Sequence, residues 1–207
     1  MKQTAVLLDL GFVIHKLYRA LGKRQATANE VRQFAHECID DAEEELFRIY
    51  CYYCPPYGEI ETHPITGEEV DFSRTDTYAS KRAFIRDLEI AKNVAFRSGE
   101  LSFDGWKVKR RSARDLASSG RGITKDDFAP DLTQKRVDMK IGLDVAWLSS
   151  KSIVERLVLV TGDSDFVPAM QFARREGVQV ILVTMGHQQI KRELKVHTDE
   201  IRSVAYP

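Results

Sequence analysis

Four aspartates carry most of the chemistry open to this chain of 207 residues. Asp9 ends an apolar run from Thr4 to Leu8, Asp138 closes Lys135-Arg136-Val137-Asp138, and Asp163 and Asp165 lie in Thr161-Gly162-Asp163-Ser164-Asp165. Ionised carboxylates brought together repel, so they either take up protons or are neutralised by a cation. Hard oxygen ligands with open positions suit magnesium or manganese, which keep several waters and bind a substrate phosphate. Such an ion lowers the pKa of its water, and a phosphodiester can then be hydrolysed without a nucleophilic side chain. Other constellations are missing. No Ser-His-Asp or Cys-His order is present, and no glycine-rich loop ends in Gly-Lys-Ser/Thr, so nucleotide hydrolysis of the P-loop type is disfavoured. Cys51 and Cys54 have a zinc-like spacing, but residues three apart on a strand face opposite ways and no second pair stands nearby. They read as core cysteines.

For the acids to meet, the elements around them must converge. Leu157 to Val160 is a short apolar, β-branched run of the kind buried on both faces of a parallel sheet. A helix follows, with Phe166, Ala169, Met170 and Ala173 on one face and Gly177 at a left-handed stop. Pro168 is tolerated only in a first turn, which puts the helix start between Ser164 and Phe166 and makes Ser164 or Asp165 a candidate N-cap. Val178 to Val183 reads as a second strand. The resulting β-α-β unit has a right-handed crossover, and its acids fall past the carboxyl end of the first strand, where open α/β sheets bind ligands.

A helix expected from about Gln134 to Ser149, capped by Thr133 or Asp131, would begin at that same edge with Asp138 about a turn inside. Asp144 lies six residues further, roughly 9 Å deeper at ~1.5 Å per residue. It falls within the apolar stripe of Val137, Ile141, Val145 and Leu148, so it is expected to be a structural hydrogen-bond acceptor or a group behind the ligands. Asp9 arrives at the same place if its strand is parallel to the other two.

The rest of the chain supplies a frame and an elaboration. A helix is expected over about 28–46, with Glu37, Asp40, Asp41, Glu43, Glu44 and Glu45 as an acidic face. Strands are expected over 47–53, 94–96 and 106–108, and a helix over 78–92. Turn formers between Pro55 and Asp76 mark an inserted hairpin. Small and polar residues make the basic stretch over roughly 107–130 a mobile loop, with Arg110, Arg111, Arg114 and Arg121 as candidate phosphate contacts. Net charge is zero, with 31 basic and 31 acidic residues, which argues against tight bulk binding to nucleic acid while leaving a local basic patch effective. Length and a 43% apolar content suit a single domain over 1–207. The apolar run before Asp9 is too brief for a signal peptide, no stretch is long enough to cross a bilayer, and three cysteines without an export signal point to the cytoplasm.

Taken together, a first strand ending in Asp9, the string Lys135-Arg136-Val137-Asp138 with Asp144 after it, and Thr161-Gly162-Asp163-Ser164-Asp165-Phe166 with Pro168 and Gly177 resemble the NYN family of PIN-like nucleases, in its bacterial LabA-like branch. The likeness covers the first strand and most of the chain after Lys135. It implies an α/β chain with a PIN-like, Rossmann-like three-layer α/β/α fold around a mainly parallel sheet. It also implies a hydrolase that cleaves RNA, single-stranded or structured, at internal phosphodiesters with magnesium or manganese. The resemblance makes Asp9, Asp138 and Asp163 metal ligands, adds Asp165 to the catalytic set, gives Asp144 and Ser164 supporting places, and makes Lys135 a phosphate contact. Self-association is compatible with this reading and a membrane is not required. One departure stands out: the family's first motif commonly reads Asp-Gly-x-Asn, whereas here Asp9 is followed by Leu10, Gly11 and Phe12. Leucine lacks the backbone freedom of glycine, and Phe12 removes a polar group. The alternative is therefore a catalytically weak or inactive RNA-binding or assembly module that keeps its acids for a structural ion. A phosphatase is more remote, since Asp-x-Asp is absent after Asp9.

Overall fold

Thr4 to Leu8 are wholly buried, the burial of a strand covered on both faces, and they lie at the middle of a six-stranded sheet. The computed structural model describes residues 1–186 and 190–204. By its internal contacts the chain forms two units, one built from 1–53, 84–99 and the chain from Arg136 onward, the other from 54–83 and 100–135.

The first unit holds β1 (Lys2–Asp9), β2 (Glu44–Tyr53), β5 (Val94–Ser98), β8 (Arg156–Val160), β9 (Gln179–Val183) and β10 (Glu200–Arg202). They lie in the order β10-β9-β8-β1-β2-β5, and every neighbouring pair is parallel. Alternation along the strands divides the core. Val6, Leu8, Cys51, Val158, Val160, Ile181 and Val183 face α1 (Leu10–Ala20), α2 (Ala28–Glu37) and Leu88 of α3 (Asp76–Glu89). Leu7, Leu157, Leu159 and Val180 face the opposite way, against Ile141 and Val145 of α5 (Val137–Ser150) and Ala169 and Met170 of α6 (Val167–Arg175). A helix α7 (Arg192–Val196) precedes β10. This is the three-layer, PIN-like α/β/α arrangement that the resemblance implies. The strand order reverses beside β1: the chain builds outward through β2 and β5, then returns to add β8, β9 and β10 on the other side. The crevice between β1 and β8 is thus a topological switch point, the place where open α/β sheets accept ligands.

Several expected boundaries shift. The helix expected to run to residue 46 stops at Glu37, because its apolar stripe is complete there and the chain must turn to enter β2. No acidic helix face exists over 37–45. Glu44 is instead buried at the amino edge of the sheet, accepting from Arg156 Nη1 at 2.7 Å and Arg202 Nη2 at 2.9 Å. Among the described residues no helix is long and apolar enough to cross a membrane.

The second unit carries a hairpin of β3 (Ile60–Thr62) and β4 (Glu69–Asp71), and an antiparallel pair of β6 (Glu100–Val108) and β7 (Phe128–Lys135). The expected hairpin within 55–76 is present, but the unit it belongs to is larger and is drawn from two stretches of sequence. Residues 112–130, expected as a loop, fold largely as α4 (Arg110–Ser119) and a 3-10 turn at Lys125–Asp127. The alanines, Leu116 and three arginines of α4 are good helix formers, and Gly120 ends it in the left-handed conformation. Thr133 and Asp131, expected as helix caps, sit in β7, where Thr133 Oγ1 donates to Asp104 at 2.5 Å and Asp131 accepts from Lys107 Nζ at 2.5 Å.

Candidate active site

At the carboxyl edge of the first unit, β1 delivers Asp9 and the turn after β8 delivers Asp163 on the other side of the switch point. Asp9 is the N-cap of α1, its Oδ1 accepting from the Phe12 N–H at 3.4 Å. Its Oδ2 accepts from the hydroxyl of Thr161, the residue that follows β8, at 3.3 Å. Thr161 in turn accepts from the Asp163 N–H at 3.1 Å, which ties the two loops together across the crevice. Asp163 caps the 3-10 turn Ser164–Phe166 by accepting from the Asp165 N–H at 3.1 Å. The capping role anticipated for Ser164 or Asp165 thus belongs to Asp163, and the turn leads into α6 with Pro168 in its first turn.

Asp138 is the second residue of α5, which opens at this same edge; Arg136 in front of it takes a left-handed backbone, φ 71°. A residue other than glycine or asparagine in that conformation is uncommon, and here it turns the chain from β7 into the helix. The carboxylates share one electrostatic field. Burial pushes Asp9 above its ordinary 3.8, the Phe12 N–H and Thr161 hydroxyl pull it back, and the charges of Asp138 and Asp163 raise it again. Asp138 is also raised, first by burial and then by Asp163 and Asp165. All four acids named from the sequence therefore border one negatively charged neighbourhood.

Asp9, Asp138 and Asp163, expected as metal ligands, share this field without closing on a common point. Among the described residues no three His, Cys, Asp or Glu side chains are gathered so as to hold one ion. The physical reason lies in their local partners: Asp9 is turned to a helix end and a threonine, Asp163 to its own turn, and like charges hold the rest apart. The donor set still fits a small divalent cation. Magnesium commonly takes only one or two carboxylates and keeps its waters, and mutual repulsion among hard oxygens favours any cation that relieves it.

A polar row crosses the sheet beside this hollow. In register, Asp9 of β1 pairs with Tyr52 of β2, and Tyr52 with Arg97 of β5. Asp144 of α5 lies over the row, accepting from the Tyr52 hydroxyl at 2.9 Å and from Arg97 Nε at 2.8 Å. Its carboxylate is thereby satisfied within the apolar stripe of its helix. Thr161, Tyr52 and Arg97 were missed by sequence reasoning. The signal was available only as strand parity, since each stands at a strand end level with an acid. Lys191 was missed as well; it donates to Ser164 Oγ at 2.6 Å and sets an ammonium at the rim of the acidic turn.

The departure at the first motif has a structural meaning. Position 10 is the first residue of α1 and needs no glycine; Leu10 is buried in the core. The close approach is at Gly162 instead, where a Cβ would come within 2.9 Å of Phe12 Cε2 and the ring would have to shift.

The proposed substrate contacts all lie in the second unit. Arg110, Arg111 and Arg114 are exposed on α4, and among the described residues none of their guanidinium groups has a hydrogen bond or ion pair. Arg121 is not free: it holds Asp127 through two nitrogens, at 2.6 and 2.8 Å, and Asp115 at 2.7 Å. The buried Asp127 carboxyl is held far below its ordinary range by that guanidinium and by the Thr124 N–H. Lys135 is exposed and donates to Ser102 Oγ at 2.9 Å.

Comparison with known proteins adds three findings. The family model described as the NYN domain matches residues 91–204. No curated protein matches the chain. The crystal structure of a protein of unknown function from Vibrio parahaemolyticus is similar at 16% identity, with a TM-score of 0.51, over 99% of this chain and 93% of that one. At that identity the likeness concerns the fold.

Proposed function

The chain belongs to the NYN domain family, and we propose that it is a magnesium- or manganese-dependent ribonuclease that hydrolyses internal phosphodiesters of RNA. The observation that carries this is the shared negative field at the switch point, where Asp9 and Asp138 are raised first by burial and then by the neighbouring charges of Asp138, Asp163 and Asp165. Asp9, Asp138 and Asp163 are the residues that would hold the cation, and Asp165 deepens the negative hollow. A bound divalent ion supplies a water of lowered pKa and charge neutralisation at the phosphate. Thr161 positions Asp9 against β8, and Lys191 and Ser164 hold the rim. Lys135, Arg110, Arg111 and Arg114 are the phosphate contacts; Arg121 is removed from that set by its ion pairs. The LabA-like branch and a cytoplasmic setting belong to the same proposal, supported by the motif strings around Asp138 and Asp163 and by three free cysteines.

A second reading, a binding module with weak or no turnover, is favoured by the lack of a closed three-ligand group among the described residues. One experiment separates them. Purified protein is incubated with single-stranded and structured RNA in manganese, beside Asp163→Asn, in which asparagine can still cap the turn. Cleavage by the wild type, abolished in the variant, supports the nuclease. Equal cleavage by both marks a contaminant and overturns it, while cation-dependent stabilisation without cleavage favours the module.

A further inference from the structure

We propose that the second unit carries a pocket for an unpaired nucleobase. The choice of ligand class rests on the RNA reading above; the pocket itself rests on its own geometry. A cavity of about 260 Å³ is lined by Tyr57, Phe72, Tyr78, Pro130, Thr77 and Lys81 among others, all within this unit. That volume lies just below the range typical of drug-sized ligands and suits a single base with its sugar.

The aromatic walls are already held. The Tyr57 ring stacks on Phe103, centroids 5.7 Å apart and 21° from parallel, and meets Phe72 edge-on at 5.5 Å. Its hydroxyl donates to Glu61, which pins the ring. Tyr78 lies against the backbone of Gly58, where a Cβ would come within 2.6 Å of the Tyr78 ring, so glycine is what lets the ring occupy that place. The Thr75 hydroxyl holds the start of α3 below it, donating to Phe72 O at 2.8 Å and accepting from the Tyr78 N–H at 3.1 Å. Rings fixed in this way lose little freedom when another planar ring stacks on them.

The polar groups indicate what the planar ring brings with it. Among the described residues Lys81 is the only charged side chain in the lining. Among the described residues neither its ammonium nor the Thr77 hydroxyl has a hydrogen-bond or ion-pair partner. Flat apolar walls with one unneutralised cation match a neutral aromatic base joined to a phosphate, the repeating unit of single-stranded RNA. A base within a duplex cannot enter, since its faces are covered by its neighbours.

The test uses the whole chain in EDTA, so that no cleavage intervenes. Binding of a fluorescent oligouridine is compared with that of an abasic ribose-phosphate oligomer of equal length and charge. The base-bearing strand is expected to bind about tenfold more tightly. Thr77→Trp, which plugs the cavity from an exposed position, is expected to abolish the preference, and Lys81→Ala to weaken both probes. Equal binding of the two probes, or an unchanged preference in Thr77→Trp, overturns the proposal, as does displacement of the strand by a tyrosine amide but not by uridine monophosphate. Absence of base preference in the wild type with cleavage intact refutes the pocket alone. Base preference without metal-dependent cleavage refutes the nuclease alone.

Discussion

The hydroxyl of Tyr52 donates to Asp144 Oδ2 at 2.9 Å, joining the second strand of the sheet to the helix that carries Asp138. Tyr52 is fully buried, and Arg97 Nε donates to the same oxygen at 2.8 Å while its Nη2 reaches Oδ1 at 3.4 Å. Asp144→Ala should leave the hydroxyl without its acceptor, at a cost of about 1–3 kcal/mol. For a chain of this size each kcal/mol lowers the melting temperature by about 2–4 °C. Tyr52→Phe, which removes donor and hydroxyl together, should cost less. If Asp144→Ala melts like the wild type yet no longer cleaves RNA, Asp144 is a ligand rather than a strut.

The raised carboxyls make a signed prediction about pH. A folded pKa above the ordinary 3.8 means that Asp9 and Asp138 contribute stability below that value and lose it as pH rises through their folded values. Glu44 works in the opposite sense. Burial alone would raise it, but Arg202, the Asp40 N–H and Arg156 together hold it below its ordinary 4.5, so its contribution is present above 4.5 and lost in acid. The comparison is therefore wild type against Asp138→Asn in EDTA: the variant should gain relative stability as pH rises from the ordinary 3.8 through the raised folded value of Asp138. With manganese the order should reverse, because a ligand at a hundredfold excess over its Kd adds about 2.7 kcal/mol to the state that binds it. A difference between the two proteins that does not vary with pH or manganese would contradict the shared field.

Gly162 and Phe12 should behave as a coupled pair. Gly162→Ala brings a methyl to 2.9 Å from the Phe12 ring and should destabilise by about 1–3 kcal/mol. In a Phe12→Leu background the same change should cost distinctly less, giving a measurable coupling in a double-mutant cycle. Strict additivity would mean that the contact does not constrain the loop.

Charge reversal of Arg110, Arg111 and Arg114 to Glu should weaken RNA binding and flatten its dependence on salt. Each lost phosphate contact on a single strand removes about 0.7 from the slope of log K against log salt. Arg121→Glu should act differently, lowering stability through Asp127. A triple variant with the wild-type slope would place the RNA elsewhere.

The parts of this molecule that were legible beforehand are those where local chemistry repeats a simple rule. β8, α6 and β9 follow from a continuous apolar run, a proline in a first turn and Gly177 at a stop, and Asp144 among Val137, Ile141 and Val145 had to find partners. What could not be read depends on pairing between distant segments. β7 carries the unremarkable sequence Phe128 to Lys135, and only β6 makes it a strand. Glu44 looks like one more acid in a charged run until Arg156 and Arg202 arrive from more than a hundred residues away. Tyr52 and Arg97 become site neighbours only through the register of β1, β2 and β5. The same logic holds for the acids themselves: Asp9 accepts from Thr161 and Asp163 from the Asp165 N–H, details set by rotamers rather than by spacing.

The reversal of strand order beside β1 also bears on when the chemistry can begin. Thr161, the residue that grips Asp9, follows it by 152 positions. Closing a loop of that span carries an entropic penalty that local contacts cannot offset, so the pairing must wait for β8. A chain still lacking β8 would carry Asp9 and Asp138 without Asp163, Asp165 or the hydroxyl that fixes Asp9, so the acidic hollow is among the last parts of the sheet edge to be completed.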